Sequence, residues 1–139
     1  MIEAKDKAQH VVRLADGEDL MAGLHGLELD SGVILSGIGM VRDAELGYWN
    51  GETYEIHRIP EACELLTMQG NVGLLENGDT VVHAHLTLAR RDGTVAGGHL
   101  IRATVANTVE AFLLELPGIA LHRKPEASGL VGLFPEVRG

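Results

Sequence analysis

Residues 81–102 read Val81-Val82-His83-Ala84-His85-Leu86-Thr87-Leu88-Ala89-Arg90-Arg91-Asp92-Gly93-Thr94-Val95-Ala96-Gly97-Gly98-His99-Leu100-Ile101-Arg102. Through Leu88 aliphatic residues alternate with polar or small ones, the period of a half-buried strand. Successive strand side chains point to opposite faces. Val82, Ala84, Leu86 and Leu88 therefore share a core-facing side, while His83, His85 and Thr87 share the other. Asp92-Gly93 is a hairpin signal, and the run from Thr94 supplies the returning strand. The segment predicts an antiparallel hairpin that carries a pair of imidazoles on one face.

The same punctuation recurs at Asn50-Gly51 and Asn77-Gly78, between runs rich in Val, Ile and Leu. Such spacing predicts antiparallel strands at roughly Val33–Ile38, Met40–Trp49, Thr53–Arg58, Ala62–Val72, Val81–Ala89, Thr94–Arg102 and Leu121–Arg123. Upstream, Ala8 to Ala15 contains Val11, Val12 and Leu14 and reads as a short strand closed by Asp16-Gly17. Glu18 and Asp19 then open a segment in which Leu20, Leu24 and Leu27 recur at helical spacing, with the acids at the positive end of the macrodipole. A helix is expected from Glu18 to about Leu29, ended by Asp30, Ser31 and Gly32. Thr104–Leu116 is two-sided: Val105, Val109, Phe112, Leu113 and Leu116 fit a helical stripe and the length favours a helix, yet no strong N-cap precedes it. The expected fold class is α+β. It is a compact single domain over residues 1–139, with an antiparallel-rich β-sheet, one N-terminal helix and, on the helical reading of Thr104–Leu116, a second helix packed on the sheet. After Pro117, Leu130, Val131, Leu133 and Phe134 give the tail an apolar edge that should pack on its own domain or a neighbour.

Composition narrows the function classes. The chain has 139 residues, with 11 Lys plus Arg against 20 Asp plus Glu, a formal charge of −9. Sequence-independent affinity for nucleic acid comes mainly from Lys and Arg displacing counterions, so direct nucleic-acid binding is not expected. The pairs Arg90-Arg91 and Arg123-Lys124 lie beside Asp92 and Glu126, and surface solvation accounts for them. The aromatic residues are few (Tyr48, Trp49, Tyr54, Phe112 and Phe134), so the core must be aliphatic and stacking surface for bases is thin. Cys63 is the only cysteine, which excludes an intrachain disulfide and a cysteine-based zinc site. Met1 to Gln9 lacks the apolar core of a secretory signal, and no apolar run approaches a membrane span; a cytoplasmic protein is the expectation.

The histidines carry the chemistry. Neutral imidazole suits zinc, nickel, copper or iron, and His-x-His on a strand offers a bidentate start. His99 is the natural third ligand, and register decides whether it reaches. A two-residue Asp92-Gly93 loop would pair His85 with Leu100 and turn His99 into the core. A three-residue loop, Arg91-Asp92-Gly93 with the glycine left-handed, would pair Arg90 with Thr94 and set His85 opposite His99. A bulge at Gly97-Gly98 would serve equally, and that glycine pair signals either a bulge or a close backbone approach. Three histidines would leave a tetrahedral position open, the arrangement of a catalytic zinc. A hydrolase or lyase would also need an acid or base; Glu110 is the candidate, against the plainer reading of a solvated carboxylate. A symmetry mate or a small carboxylate metabolite could also fill the position. His10, His25, His57 and His122 read as structural. Gly37-Ile38-Gly39 lacks the rest of a dinucleotide fingerprint, no Walker loop occurs, and neither Ser36, Ser128 nor Cys63 has the setting of a nucleophile.

Arg13-Leu14, Gly17-Glu18-Asp19-Leu20, Leu35-Ser36-Gly37-Ile38-Gly39, Gly70-Asn71, His83-Ala84-His85, Asp92-Gly93 and Gly97-Gly98-His99-Leu100 together resemble the plants-and-prokaryotes-conserved (PPC) domain, over nearly the whole chain. The resemblance implies an antiparallel-rich domain assembled as a homotrimer, of the stand-alone prokaryotic type. It implies a metal site at His83, His85 and His99, with zinc the first choice over another divalent transition metal, and an unknown small-molecule ligand. Plant members join the domain to AT-hooks, whose Arg-Gly-Arg-Pro core this chain lacks. Where they carry Gly-Arg-Phe-Glu-Ile-Leu for protein contacts, the chain reads Glu61-Ala62-Cys63-Glu64-Leu65-Leu66. A DNA-associated regulator acting through protein contacts is the alternative function.

Overall fold

A computed structural model describes residues 1–139. In chain order the elements are β1 (Ile2–Asp6), β2 (Gln9–Ala15), α1 (Leu20–His25), β3 (Gly32–Trp49), β4 (Tyr54–Ile59), β5 (Cys63–Leu74), β6 (Thr80–Ala89), β7 (Val95–Glu115), β8 (Ile119–Pro125) and β9 (Val131–Val137). Strands pair in the order β1-β2-β7-β3-β5-β8-β9, with β4 on β3 and with β6 bridging β5 and β7. Every pairing is antiparallel except a single parallel bridge, Leu74 with His122, between β5 and β8. The pairings β3–β5, β5–β6, β6–β7 and β7–β3 close on themselves, so these strands form a ring around the aliphatic core. Ring closure leaves fewer bare strand edges. No helix is long and apolar enough to cross a membrane.

Inside the ring lie the residues the alternation assigned there: Val82, Ala84, Leu86 and Leu88 of β6, all buried against Leu46, Met68 and Leu100. The helix α1 adds Leu20 and Leu24 to the same cluster and packs across β6 and β7. Asp19 caps it, its Oδ1 accepting from the Ala22 amide at 2.7 Å. The helix is shorter than the Leu periodicity predicts. Past His25 the chain turns through Gly26 and reaches a positive φ at Glu28 (54°), so Leu27 and Leu29 reach the core from a turn instead.

The second helix is not formed, and the fold is mostly β with one short helix. Thr104–Leu116 lies largely in the second half of β7, paired with β2 and β3. Ala103, Val105, Val109, Ala111 and Leu113 are fully buried while Glu110 and Phe112 are exposed, a two-residue period. The helical stripe includes Phe112, which faces out, and omits the small Ala111, which faces in. The alternation skips once, at Asn107 (φ 65°), where the strand kinks and the Asn107 amide donates to Asp16 Oδ1 at 2.8 Å. Separate strands expected at Val33–Ile38 and Met40–Trp49 are one bent strand, β3, whose register with β7 shifts beside Gly39. β1 and β9 carry no alternating signal, because nearly all of their residues are exposed. The apolar tail is β9, folded back on β8 of its own domain.

The strand assignment has a direct consequence. Ala111→Asp, which buries an unpartnered carboxylate, should cost about 3 kcal/mol in chemical denaturation, while its neighbour Glu110→Gln should stay within about 0.5 kcal/mol of wild type.

Candidate metal centre

The turn between β6 and β7 is the three-residue form. Arg90 N donates to Thr94 O at 2.8 Å, Gly93 N to Arg90 O at 2.9 Å, and Gly93 holds φ 83°. Left-handed backbone favours glycine there, since a Cβ would meet the following carbonyl. Asp92 Oδ1 fastens the loop by accepting from the Thr94 amide at 2.9 Å and the Thr94 hydroxyl at 2.7 Å. His85 consequently stands opposite His99, with no register shift between the strands. The glycine pair is the close approach rather than the bulge: a Cβ on Gly98 would lie 2.9 Å from Gly47 O of β3. That contact seats the His99 segment against Gly47, its register partner on β3.

The structure thus brings His83, His85 and His99 together. One ring nitrogen from each lies within 4.8 Å of the others. His83 Nε2 and His85 Nε2 are 3.1 Å apart, against roughly 3.3 Å for two nitrogens bound at tetrahedral angles to one zinc. Tyr54 stacks on His99 at 4.7 Å between ring centroids, and Trp49 meets Tyr54 edge-on at 5.3 Å. Beside His83 lies Arg123, only 5% exposed. Its Nη2 donates to Asn71 Oδ1 and, at 3.3 Å, to His83 Nδ1, and its Nη1 donates to Val131 O at 3.3 Å. These groups border a cleft of about 720 Å³ whose lining contains no Asp or Glu.

Burial is the main reason His83 is hard to protonate; with the Arg123 charge and the neighbouring His99 and His85 it lowers the pKa from 6.5 to about 4. Burial, then His85, lowers His99 as well. Both imidazoles are therefore neutral at neutral pH, the state a metal requires. His99 Nδ1 is buried with no hydrogen-bond partner. Three imidazole donors, one with an unsatisfied nitrogen, fit a divalent transition metal.

The other singled-out residues lie elsewhere. Glu110 is exposed on the far half of β7, opposite Arg13 of β2 and Ile38 of β3, and does not border the cleft. His10 is buried between Glu3 (2.6 Å) and Glu115 (3.5 Å), His25 faces Thr80 at 3.3 Å, and His122 meets Glu136 at 3.3 Å. The Cys63 thiol is pushed up by burial and by Glu61. Arg123 is the residue the sequence reading missed. It was paired with Lys124 as solvated surface, yet on β8 Leu121 and Arg123 point inward and Lys124 outward. The two-residue step from Leu121 was the available signal.

Comparison with known proteins identifies the family and the fold. The Plants and Prokaryotes Conserved (PCC) domain model matches residues 1–117. A plant- and prokaryote-conserved protein of Pyrococcus horikoshii superposes with a TM-score of 0.84 at 30% identity, over 99% of this chain and 96% of that one. A metal-containing protein of Archaeoglobus fulgidus gives 0.81 at 30% identity, over 96% and 99%. A Bacteroides thetaiotaomicron structure, 22% identical, shares the fold with a TM-score of 0.86 over 96% of each chain. Among curated sequences, the Bifunctional protein GlmU of a Synechococcus strain is 32% identical over 128 residues, 88% of this chain; the chain spans 19% of that protein's length.

The histidine environment fixes a pH response of the metal-free protein. Unfolded His83 takes up its proton near pH 6.5 and folded His83 near 4, so between those values the unfolded state binds more protons. Stability should be full above the upper value and fall as the pH is lowered toward the lower one. Melting temperatures measured in the presence of a chelator should show this slope, and His83→Asn should flatten most of it.

Proposed function

The chain belongs to the plants-and-prokaryotes-conserved domain family, and from that premise we propose that it is a metal-binding protein in which His83, His85 and His99 hold one divalent transition metal ion, zinc first, at the wall of a small-ligand cleft. The observation that carries this reading is the convergence of three imidazoles from adjacent strands onto one point. The likeness to an archaeal protein named as metal-containing supports it. When bound, the ion would supply a Lewis-acidic open coordination position. The chain's own residues do the rest. Tyr54 holds His99 by stacking, Arg123 and Asn71 brace His83, and Trp49 packs against Tyr54.

Hydrolysis or a lyase reaction would need a proton-transfer group beside the metal, and the cleft of one chain offers no carboxylate. Glu110 lies outside it. Metal-dependent binding of a small ligand is therefore the function we put forward. The acidic charge of −9 weighs against the DNA-associated alternative.

We place this site in a homotrimer. The outer face of β2, β7 and β3 carries rows that register Val11 with Phe112 and Arg13 with Glu110 and Ile38. Val11, Phe112, Ile38 and nearby Leu35 are all more than two-fifths exposed, an apolar patch of the kind that marks an interface. Glu110 belongs to this face.

Protein expressed without a polyhistidine tag and supplied with zinc should contain about one equivalent per chain, falling below roughly a tenth in His83→Ala and His99→Ala, as elemental analysis would measure. Wild-type protein below that level after supplementation would refute the metal reading. Sedimentation should give three times the 14.9 kDa chain mass, and Phe112→Glu should dissociate the assembly.

A further inference from the structure

The metal reading leaves one charged group in the cleft without a counter-charge. We propose that Arg123 anchors a small organic carboxylate with a flat, apolar body, the metal's open position being its second point of attachment; for that second point the inference rests on the metal reading.

Arg123 is 5% exposed and borders the cleft, yet it meets no acid. Its acceptors are Asn71 Oδ1, Val131 O and His83 Nδ1, all neutral, and its Nε is buried with no partner at all. Arg42, Arg58, Arg90 and Arg102, far more exposed, each lie within ion-pair distance of an Asp or Glu. A guanidinium cannot shed its charge at physiological pH, and a buried cation without a counter-charge is unfavourable. This chain supplies no charge to balance Arg123, and an anion in the cleft would. A planar fork of N–H donors matches a carboxylate.

The tautomer of His83 points the same way. A guanidinium N–H can only donate, so His83 Nδ1 accepts from Arg123 and the ring proton sits on Nε2, which faces His85 Nε2 at 3.1 Å. Were Nε2 the atom that held a metal, the ring proton would sit on Nδ1 and N–H would face N–H. Arg123 then has an Nη2–H and its Nε–H in want of an acceptor, and an anion supplies one. Metal uptake and anion binding should favour each other. No acidic residue in the lining repels an anion, and Trp49, Tyr54, Leu130 and Val131 give an organic body aromatic and aliphatic walls.

Trp49 is the chain's only tryptophan and borders the cleft, so its fluorescence reads occupancy. Zinc-loaded wild-type protein titrated with benzoate should give a saturable change, and the neutral isostere benzamide should bind about tenfold more weakly or worse. Arg123→Gln, compared at equal bound zinc measured in the same sample, should lose about tenfold or more in benzoate affinity. Equal binding of benzoate and benzamide by the wild type overturns the proposal and needs no variant, so the test stands if Arg123→Gln does not fold. Undiminished benzoate binding by zinc-loaded Arg123→Gln, or no saturable benzoate response in the zinc-loaded wild type, overturns it too. Wild-type protein that takes up no zinc refutes the metal reading instead, and benzoate binding that discriminates against benzamide and is lost in Arg123→Gln would then still support the Arg123 anchor.

Discussion

The left-handed backbone of Gly93 sets the register between β6 and β7, and with it the face on which His99 emerges. Side chains alternate along a strand, so a loop one residue shorter would have moved every β7 side chain to the opposite face. Leu100 would then leave the core and His99 would enter it, losing both the metal donor and a fully buried leucine. The apolar pattern and the donor pattern of β7 agree on one register, and the Asp92 to Thr94 bonds hold the loop that enforces it. Site and core are thus specified by the same turn.

From that hairpin the sheet closes through β3 and β5, which gives the histidine strands a rigid backing. The cleft that results has an unusual electrostatic character for so acidic a chain. Carboxylates crowd the outer surface, pairing with exposed arginines, while the cleft holds imidazoles and one buried guanidinium with no acid among them. Neutral imidazoles are the state in which a metal finds its donors, and in a lining with an arginine and no acid an anion meets no carboxylate to repel it. The protein concentrates positive potential at one small concavity instead of spreading it over a basic face.

Much of this was legible in residue order. The inward set of β6, the three histidines and the antiparallel hairpins all follow from period-two alternation and turn residues, which are local properties. Thr104–Leu116 was not legible because its inward residues include Ala111: a small side chain carries a weak apolar signal, and the outward Phe112 completed a false helical stripe. β1 and β9 bury almost nothing, so no period marks them. Arg123 was read as solvated because it adjoins Lys124; only the packing of β8 beside β5, through the Leu74 to His122 bridge, carries it inward to Asn71 and His83.

The sequence by itself determined which residues could ligate a metal, that β6 presents two of them on one face, and that the third reaches them in only some registers of the hairpin. Tertiary structure decided among those registers, formed one continuous strand where the length of Thr104–Leu116 favoured a helix, removed Glu110 to an outer apolar face, and brought Arg123 to the cleft from 40 positions beyond His83. The physical reason is range. Alternation and turn chemistry act between residues a few positions apart, whereas the partners of a buried charge are chosen by which distant strands the closed sheet sets side by side.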